Sequence, residues 1–278
     1  DGDGLRVDRL EEELRSGPKF LYVLPNFHNP AGTTLPEDRR NRVVELASHY
    51  GVPILEDDPY GLLHFDEPAP EGEHQPPLVE IDSEYHGERA GKAAAGGRFR
   101  GGVIYLSSLS KTLAPGLRIA WVVAPTDVIG RLVQIKQGAD LHTSTFNQMV
   151  AYETARGGFL DQHVKVLRDF YRQRRDAMLD ALKRYMPDGV EWTRPQGGLF
   201  LWLTLPEGDL SKVGAAAILQ EAVKSKVVFV PGSAFYPGPS ADGRGERSMR
   251  LNFSYCTPEV IDVGVRRLSE VVARALGA

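Results

Sequence analysis

The sequence predicts an α/β protein, with a mainly parallel sheet in a larger unit over residues 1–158 and a smaller α+β unit over residues 159–278. Three observations carry this. Short apolar runs alternate with helical or long connections between residues 19 and 125, the pattern of a parallel sheet covered on both faces. Helical periodicity dominates from Thr126 to Met186. Strand-like runs then return between helices, which marks a separate α+β unit.

The elements follow in order. "DGDGLRVDRLEEEL" reads as a short strand and a helix. "KFLYVLP" is a short apolar run closed by Pro25, a buried strand. "TLPEDRRNRVVELASHYG" is a helix: Thr34 and Glu37 have capping-box spacing, Val43, Leu46, Ala47 and Tyr50 share a face, and Gly51 marks the stop. "VPILEDDPY" is a strand that ends in acids, and "GVIYLSSLS" and "RIAWVVAP" are two more. Residues 67–102 interrupt this rhythm. "EPAPEGEHQPPL" is Pro-rich and acidic, and "GERAGKAAAGGRFRGG" reads as a flexible surface insertion, with residues 84–102 looping out before the next strand.

Helices are expected at 127–138, 145–157 and, as one long amphipathic stretch, 159–186. The basic residues of the last are interleaved with Asp169, Asp176 and Asp180, which reads as a solvated face and not a nucleic-acid surface. A strand "LFLWLTLP", a helix at about 211–225, strands "VVFVP" and "MRLNFSY", and a helix from Pro258 to Leu276 capped by Thr257 complete the chain.

Composition narrows the partners. With 42% hydrophobic and 25% charged residues the chain is ordinary for a globular protein, and a net charge of -4 points to no polyanion, hence no nucleic acid. No apolar run approaches the ~20 residues of a membrane helix, so no membrane partner is expected. The single cysteine, Cys256, allows no intrachain disulfide and fits a reducing, cytoplasmic compartment. His49, His142 and His163 are scattered without metal-ligand spacing, and no metal is expected.

The chemistry concentrates in four stretches. In "SSLSKTLAPGLR", Lys111 follows an apolar strand at the end where open α/β sheets bind ligands. A partly desolvated amine there is a nucleophile toward an aldehyde. Ser108 and Ser110 offer hydroxyls, and Arg118 a planar fork suited to phosphate, so the set fits an aldehyde that carries a phosphate. In "EDDPYGLLHF", Asp57 ends a strand and Tyr60 lies three residues on. Asp-Pro-Tyr-Gly is turn chemistry, and a buried carboxylate also needs a positive partner such as a protonated pyridine nitrogen. In "PNFHNPAGTTLP", Asn29 offers an amide to a ring oxygen and Pro30 is a candidate for a cis bond, while His28 reads as structural. In "SMRLNFSY", Arg250 either points from an edge strand to water or clamps a carboxylate with two hydrogen bonds.

Taken together, "HNPAG", "DDPY", "SLSKTLAPGLR" and "RLNFS" resemble the fold-type-I aminotransferases that use pyridoxal 5'-phosphate, over about residues 1–276. The wording "LPNFHNPAG", "EDDPYG", "SKTLAPGLRIAWVVAP" and "RPQGGLFLWL" is most similar to the branch of 2-aminoadipate and kynurenine aminotransferases. The resemblance implies that Lys111 bonds covalently to the cofactor and moves the substrate proton. It implies that Asp57 pairs with the pyridine nitrogen, that Asn29 and Tyr60 hold the ring oxygen, and that Ser108, Ser110 and Arg118 hold the phosphate. Arg250, with Asn29, would bind the substrate carboxylate. An L-amino acid and a 2-oxo acid would be the substrates, and a homodimer the assembly. Two rivals remain: the effector domain of a winged-helix transcription regulator, a class that usually words the "NPAG" and "DDPYG" loops differently, and a lyase on the same scaffold, which shares most of these residues. Members of the family begin before the segment that matches Asp1. The expectation is therefore that the sequence lacks the N-terminal part, with its Gly-rich phosphate loop, stacking aromatic ring and substrate arm, and that these residues alone bind the cofactor poorly.

Overall fold

The computed structural model describes residues 1–65, 75–90, 101–208, 214–238 and 243–277. Contacts divide the chain into two units, Asp1–Asn26 with Thr34–Leu167, and Phe27–Thr33 with Arg168–Ala278.

The first unit is built on a four-stranded sheet in the order β1 (Leu21–Val23), β2 (Ile54–Asp57), β3 (Val103–Ser108), β4 (Ala120–Val123). The β1/β2 and β2/β3 pairs are parallel and β3/β4 is antiparallel, so the sheet is mixed. Strand side chains alternate between faces. Val23, Ile54 and Val103 turn to a core shared with Leu10 and Leu14 of α1 (Val7–Arg15), Val43, Val44 and Ala47 of α2 (Glu37–Tyr50), and Leu78 and Ile81 of α3 (Leu78–Ala90). Helices α4 (Thr126–Ala139) and α5 (Thr145–Ala155) follow β4, and α6 (Phe159–Tyr185) runs on into the residues of the second unit.

Three local expectations need correction. Residues 1–6 form turns and bends and not the expected strand, because two glycines and two acids supply no apolar alternation. Thr34 does not cap α2. The helix starts at Glu37 with Pro36 as an extended N-cap that makes no side-chain bond. The proline keeps Leu35 out of the helical region, and Leu35 is instead buried with its N–H donating to the Pro25 carbonyl at 2.8 Å.

The third correction concerns the insertion, because Leu78–Ala90 is helical and belongs to the core. Two parallel neighbours need a crossover element, and α3 is the helix between β2 and β3. Its anchors are far away in sequence. The Glu56 carboxylate accepts the Leu78 and Val79 N–H groups at 2.8 and 2.9 Å, and Asp82 accepts the Val103 N–H at 3.1 Å. Residues 67–74 and 91–100 of the expected interruption lie outside the described residues.

The second unit has an antiparallel sheet in the order β5 (Glu191–Trp192), β6 (Phe200–Thr204), β8 (Ser248–Asn252), β7 (Val230–Pro231). Strand β7 is shorter than the run "VVFVP" suggests, since Lys226 turns the chain at φ 60° and Pro231 has no N–H to extend the ladder. Helix α7 (Ala215–Lys224) is the described part of the helix expected at 211–225. A single turn, α8 (Arg244–Arg247), precedes β8. In α9 (Pro258–Leu276), Thr257 Oγ1 accepts the Val260 N–H, and Ile261, Val265, Leu268 and Val272 form the buried stripe.

Residues 27–33 pack with this unit as a closed loop, the His28 N–H donating to Thr33 and the Gly32 N–H to His28 at 2.8 and 2.6 Å. Gly32 sits at φ 69°, and a Cβ there would lie 2.7 Å from the Phe200 carbonyl oxygen. Only glycine permits this approach of the loop to β6.

Candidate active site

The first unit sets six of the eight candidate residues along one edge of its sheet, at the C-terminal ends of β2 and β3 and just before the start of antiparallel β4. Asp57 is the last residue of β2 and Ser108 the last of β3, and the parallel register pairs Asp57 with Leu106. The antiparallel register pairs Ser108 with Ala120, and the Leu109 N–H reaches the Ile119 carbonyl at 3.1 Å. Carried one step further, the same register sets Ser110 opposite Arg118. Lys111 lies in the turn between them, closed by the Leu113 N–H on the Leu109 carbonyl at 2.9 Å. Ser108 Oγ accepts the Ser110 N–H at 3.2 Å, and Arg118 takes a left-handed backbone at φ 54°. Lys111 is half-buried, and among the described residues its amine makes no hydrogen bond or ion pair.

The adjacent acids Asp57 and Asp58 part company because strand side chains alternate. Asp58 turns inward, where Asn26 Nδ2 (3.0 Å), the Gly61 N–H (2.9 Å) and Tyr105 Oη (3.2 Å) donate to its carboxylate. The Gly61 bond closes the Asp-Pro-Tyr-Gly turn and sets buried Tyr60 three residues from Asp57. Asp57 is on the other face, and its carboxylate receives the Tyr22 hydroxyl at 2.5 Å. The alternation therefore leaves Asp57 available to a ligand and spends Asp58 on the turn. Burial first, and then the Asp57 carboxylate, push the Tyr22 hydroxyl above its ordinary pKa, so it stays a donor.

Below the turn, Arg40 is fully buried. Its guanidinium donates to the Leu35, Pro25 and Pro76 carbonyls and to Asn26 Oδ1. Glu56, also fully buried, is pushed up to about 7 by desolvation, against the two helix N–H bonds that favour its charged form. Asp58 takes the turn role that Asp-Pro-Tyr-Gly suggests, whereas none of Tyr22, Asn26 or Arg40 stands out in sequence. Tyr22 and Asp57 share a face only through the register of β1 with β2, which no local signal gives.

The other two candidates form a separate pair in the second unit. Arg250 Nη1 donates to Asn29 Oδ1 at 2.7 Å, and the guanidinium lies over the rings of Phe200 (4.2 Å) and Phe235 (5.1 Å). Strand β8 is internal, flanked by β6 and β7, so the edge-strand reading of Arg250 does not apply. The Asn29–Pro30 bond is cis. His28 takes a structural place in the loop, its Nδ1 facing the Ala31 N–H at 3.4 Å, and burial lowers its pKa.

An unpartnered amine, a carboxylate on the neighbouring strand end, two hydroxyls and a guanidinium match in sign and type an aldehyde that carries a phosphate and a basic ring nitrogen. A Ser–His–Asp grouping elsewhere, Ser48, His86 and Asp82, is no charge relay, since both partners meet the same ring nitrogen, Nε2. Among the described residues no group of three or more His, Cys, Asp or Glu side chains fits a metal ion.

The architecture is that of the fold-type-I aminotransferases. The family of class I and II aminotransferases matches residues 1–268, and the chain belongs to it. It is 43% identical to aromatic-amino-acid aminotransferase 1 of Thermococcus litoralis over 98% of its own length and 60% of that protein's. The crystal structure of the alpha-aminoadipate aminotransferase of Thermus thermophilus, complexed with N-(5'-phosphopyridoxyl)-L-leucine, superimposes with a TM-score of 0.84 at 39% identity, covering all of this chain and 64% of that one. An uncharacterised HTH-type transcriptional regulator of Bacillus subtilis, YisV, is 31% identical over 99% of this chain and 51% of that protein. The chain thus spans about half to two thirds of the length of these relatives. No described helix is long and apolar enough to cross a membrane.

Proposed function

We propose that the protein is a pyridoxal 5'-phosphate-dependent aminotransferase. It moves an amino group between an L-amino acid of the 2-aminoadipate, aromatic or branched-chain type and a 2-oxo acid. The observation that carries the reading is the meeting of Lys111, Asp57, Ser108, Ser110 and Arg118 at the C-terminal ends of β2 and β3. In this reading Arg118 and the two serine hydroxyls bind the phosphate, and Tyr60 and Asn29 donate to the ring oxygen. The Asp57 carboxylate keeps the ring nitrogen protonated. When bound, the cofactor supplies an electron sink for the charge left as the substrate Cα–H bond breaks. Lys111 Nζ would hold the cofactor covalently in the resting protein and, once the substrate amine has displaced it, would be free to take and return the Cα proton. Arg250, steadied by Asn29, orients the substrate carboxylate.

Borohydride reduction of the loaded protein followed by peptide mapping tests the assignment. The tag is expected on Lys111, and Lys111→Ala is expected to lose nearly all transfer to 2-oxoglutarate. A tag elsewhere, or unchanged turnover, rejects it. Release of ammonia in place of transfer would favour a lyase. The likeness to the regulator favours a second reading, an effector domain, and a helix-turn-helix module in the same reading frame would select it.

We extend the reading to a cytoplasmic homodimer. Trp121, Val122 and Val123 on β4, with Ile135, Phe146 and Met149 on α4 and α5, are apolar side chains exposed among the described residues, a surface suited to cover by a second copy or by further chain. Light scattering on the full-length protein tests the dimer, and a monomer at micromolar concentration would reject it.

A further inference from the structure

We propose that Tyr22 is a positioning residue for Asp57, holding one carboxylate oxygen so that the other is presented to the cofactor's ring nitrogen. The inference rests on the reading of Asp57 given above. Its basis is geometric. Register pairs Tyr22 with Leu55, and two residues further along β2, on the same face, comes Asp57. A tyrosine is long enough to cross that diagonal, and its hydroxyl reaches Asp57 Oδ2 at 2.5 Å. Among the described residues this is the only hydrogen bond to the Asp57 carboxylate.

The contact is made by the hydroxyl and not by the ring. The neighbouring Val23 turns to the opposite face and belongs to the core, so the core itself places no demand on the tyrosine hydroxyl. A phenylalanine would cover the same sheet surface. What the hydroxyl adds is a donor to an ionised group, and such bonds are about twice as strong as neutral ones. A carboxylate otherwise turns freely about its last torsion, which is broad. Holding one oxygen removes that freedom before the cofactor arrives, so less order must be created on binding. The hydroxyl keeps its proton over the working range, because burial and the neighbouring carboxylate both oppose its loss. Tyr22 touches neither the substrate nor the reacting atoms in this account; it acts through Asp57.

The test is a double-mutant cycle on the protein expressed from its complete reading frame, read as the dissociation constant of pyridoxal 5'-phosphate by equilibrium dialysis. Tyr22→Phe is expected to weaken cofactor binding about tenfold, the size of one hydrogen bond to a charged group. In the Asp57→Ala background the same substitution is expected to change it less than twofold, because the group it acts through is gone. Urea unfolding of the cofactor-free Tyr22→Phe protein should show an unchanged midpoint. Equal weakening in both backgrounds, or none in either, overturns the proposal while leaving the cofactor reading intact. Wild-type protein that retains no cofactor overturns that reading and this proposal with it.

Discussion

At the scale of single residues, backbone geometry and charge decide different things. Gly32 is a matter of space: its φ of 69° and the Phe200 oxygen 2.7 Å from a would-be Cβ leave room for no side chain. Gly32→Ala is expected to cost roughly 2–3 kcal/mol, combining left-handed strain with displacement of the loop from β6. Urea unfolding of the second unit's signal measures it, and a loss below about 0.5 kcal/mol would mean that the loop shifts freely. Arg250 is a matter of fork geometry. It combines a bond to Asn29 with stacking on two phenylalanines, and a lysine can reproduce neither the planar stack nor a two-point grip on a carboxylate. Arg250→Lys is therefore expected to raise the amino-acid KM at least tenfold with a smaller change in kcat. Steady-state kinetics with the preferred donor decides this, and an unchanged KM would remove the carboxylate role.

At the scale of elements, the ends of β1, α2 and α3 and the turn after β2 are tied to one buried cation. Arg40 joins Pro25 and Asn26 after β1 to Leu35 before α2 and Pro76 before α3, and through Asn26 it reaches Asp58 in the turn. Arg40→Leu keeps an apolar stem in place but strands four acceptors, so a loss of about 3–5 kcal/mol is expected by chemical denaturation. A loss under about 1 kcal/mol would show that water replaces the guanidinium. The same element scale explains what could be read from sequence. Strands with strong apolar runs, and helices with a clear stripe and cap such as α9 with Thr257, were legible because their signals are local. Helix α3 was not, because its face is weak and its start is satisfied by Glu56, about twenty residues away. The Thr34 capping box was a local signal overridden by Pro36. Among the candidate residues, Lys111, Asp57, Ser108, Ser110 and Arg118 were picked out by motif spacing, and the fold sets them along one edge of the sheet. Tyr22 was not, since only pairing of β1 with β2 brings it to Asp57.

At the scale of the whole molecule, buried ionisable groups give the two units opposite responses to pH. In the first, Glu56 is raised from 4.5 to about 7, mainly by burial, with Asp58 adding to the shift and Arg40 opposing it. Burial likewise raises Asp82, against its bond from Val103 and the nearby His86. A carboxyl raised on folding binds more protons in the native state, so stability falls as pH climbs from the unfolded value through the folded one. For Glu56 that window runs from about 4.5 to about 7, and the full difference is roughly 3 kcal/mol. In the second unit the sign reverses. Burial lowers His28, so the unfolded chain binds the proton more readily and stability is lost as pH falls below about 6.5. Thermal unfolding followed by probes local to each unit should therefore show the first unit strengthening from about pH 8 toward about pH 5 and the second weakening over the acidic part of that range. Glu56→Gln removes the titrating group while keeping one acceptor for the helix N–H groups. Its first-unit profile should be flatter by most of the wild-type change, with only the Asp82 share remaining. If the Glu56→Gln and wild-type profiles run parallel across that range, Glu56 is ionised throughout it in the native protein, and the buried charge must have compensation beyond Arg40 and the two amides at the start of α3.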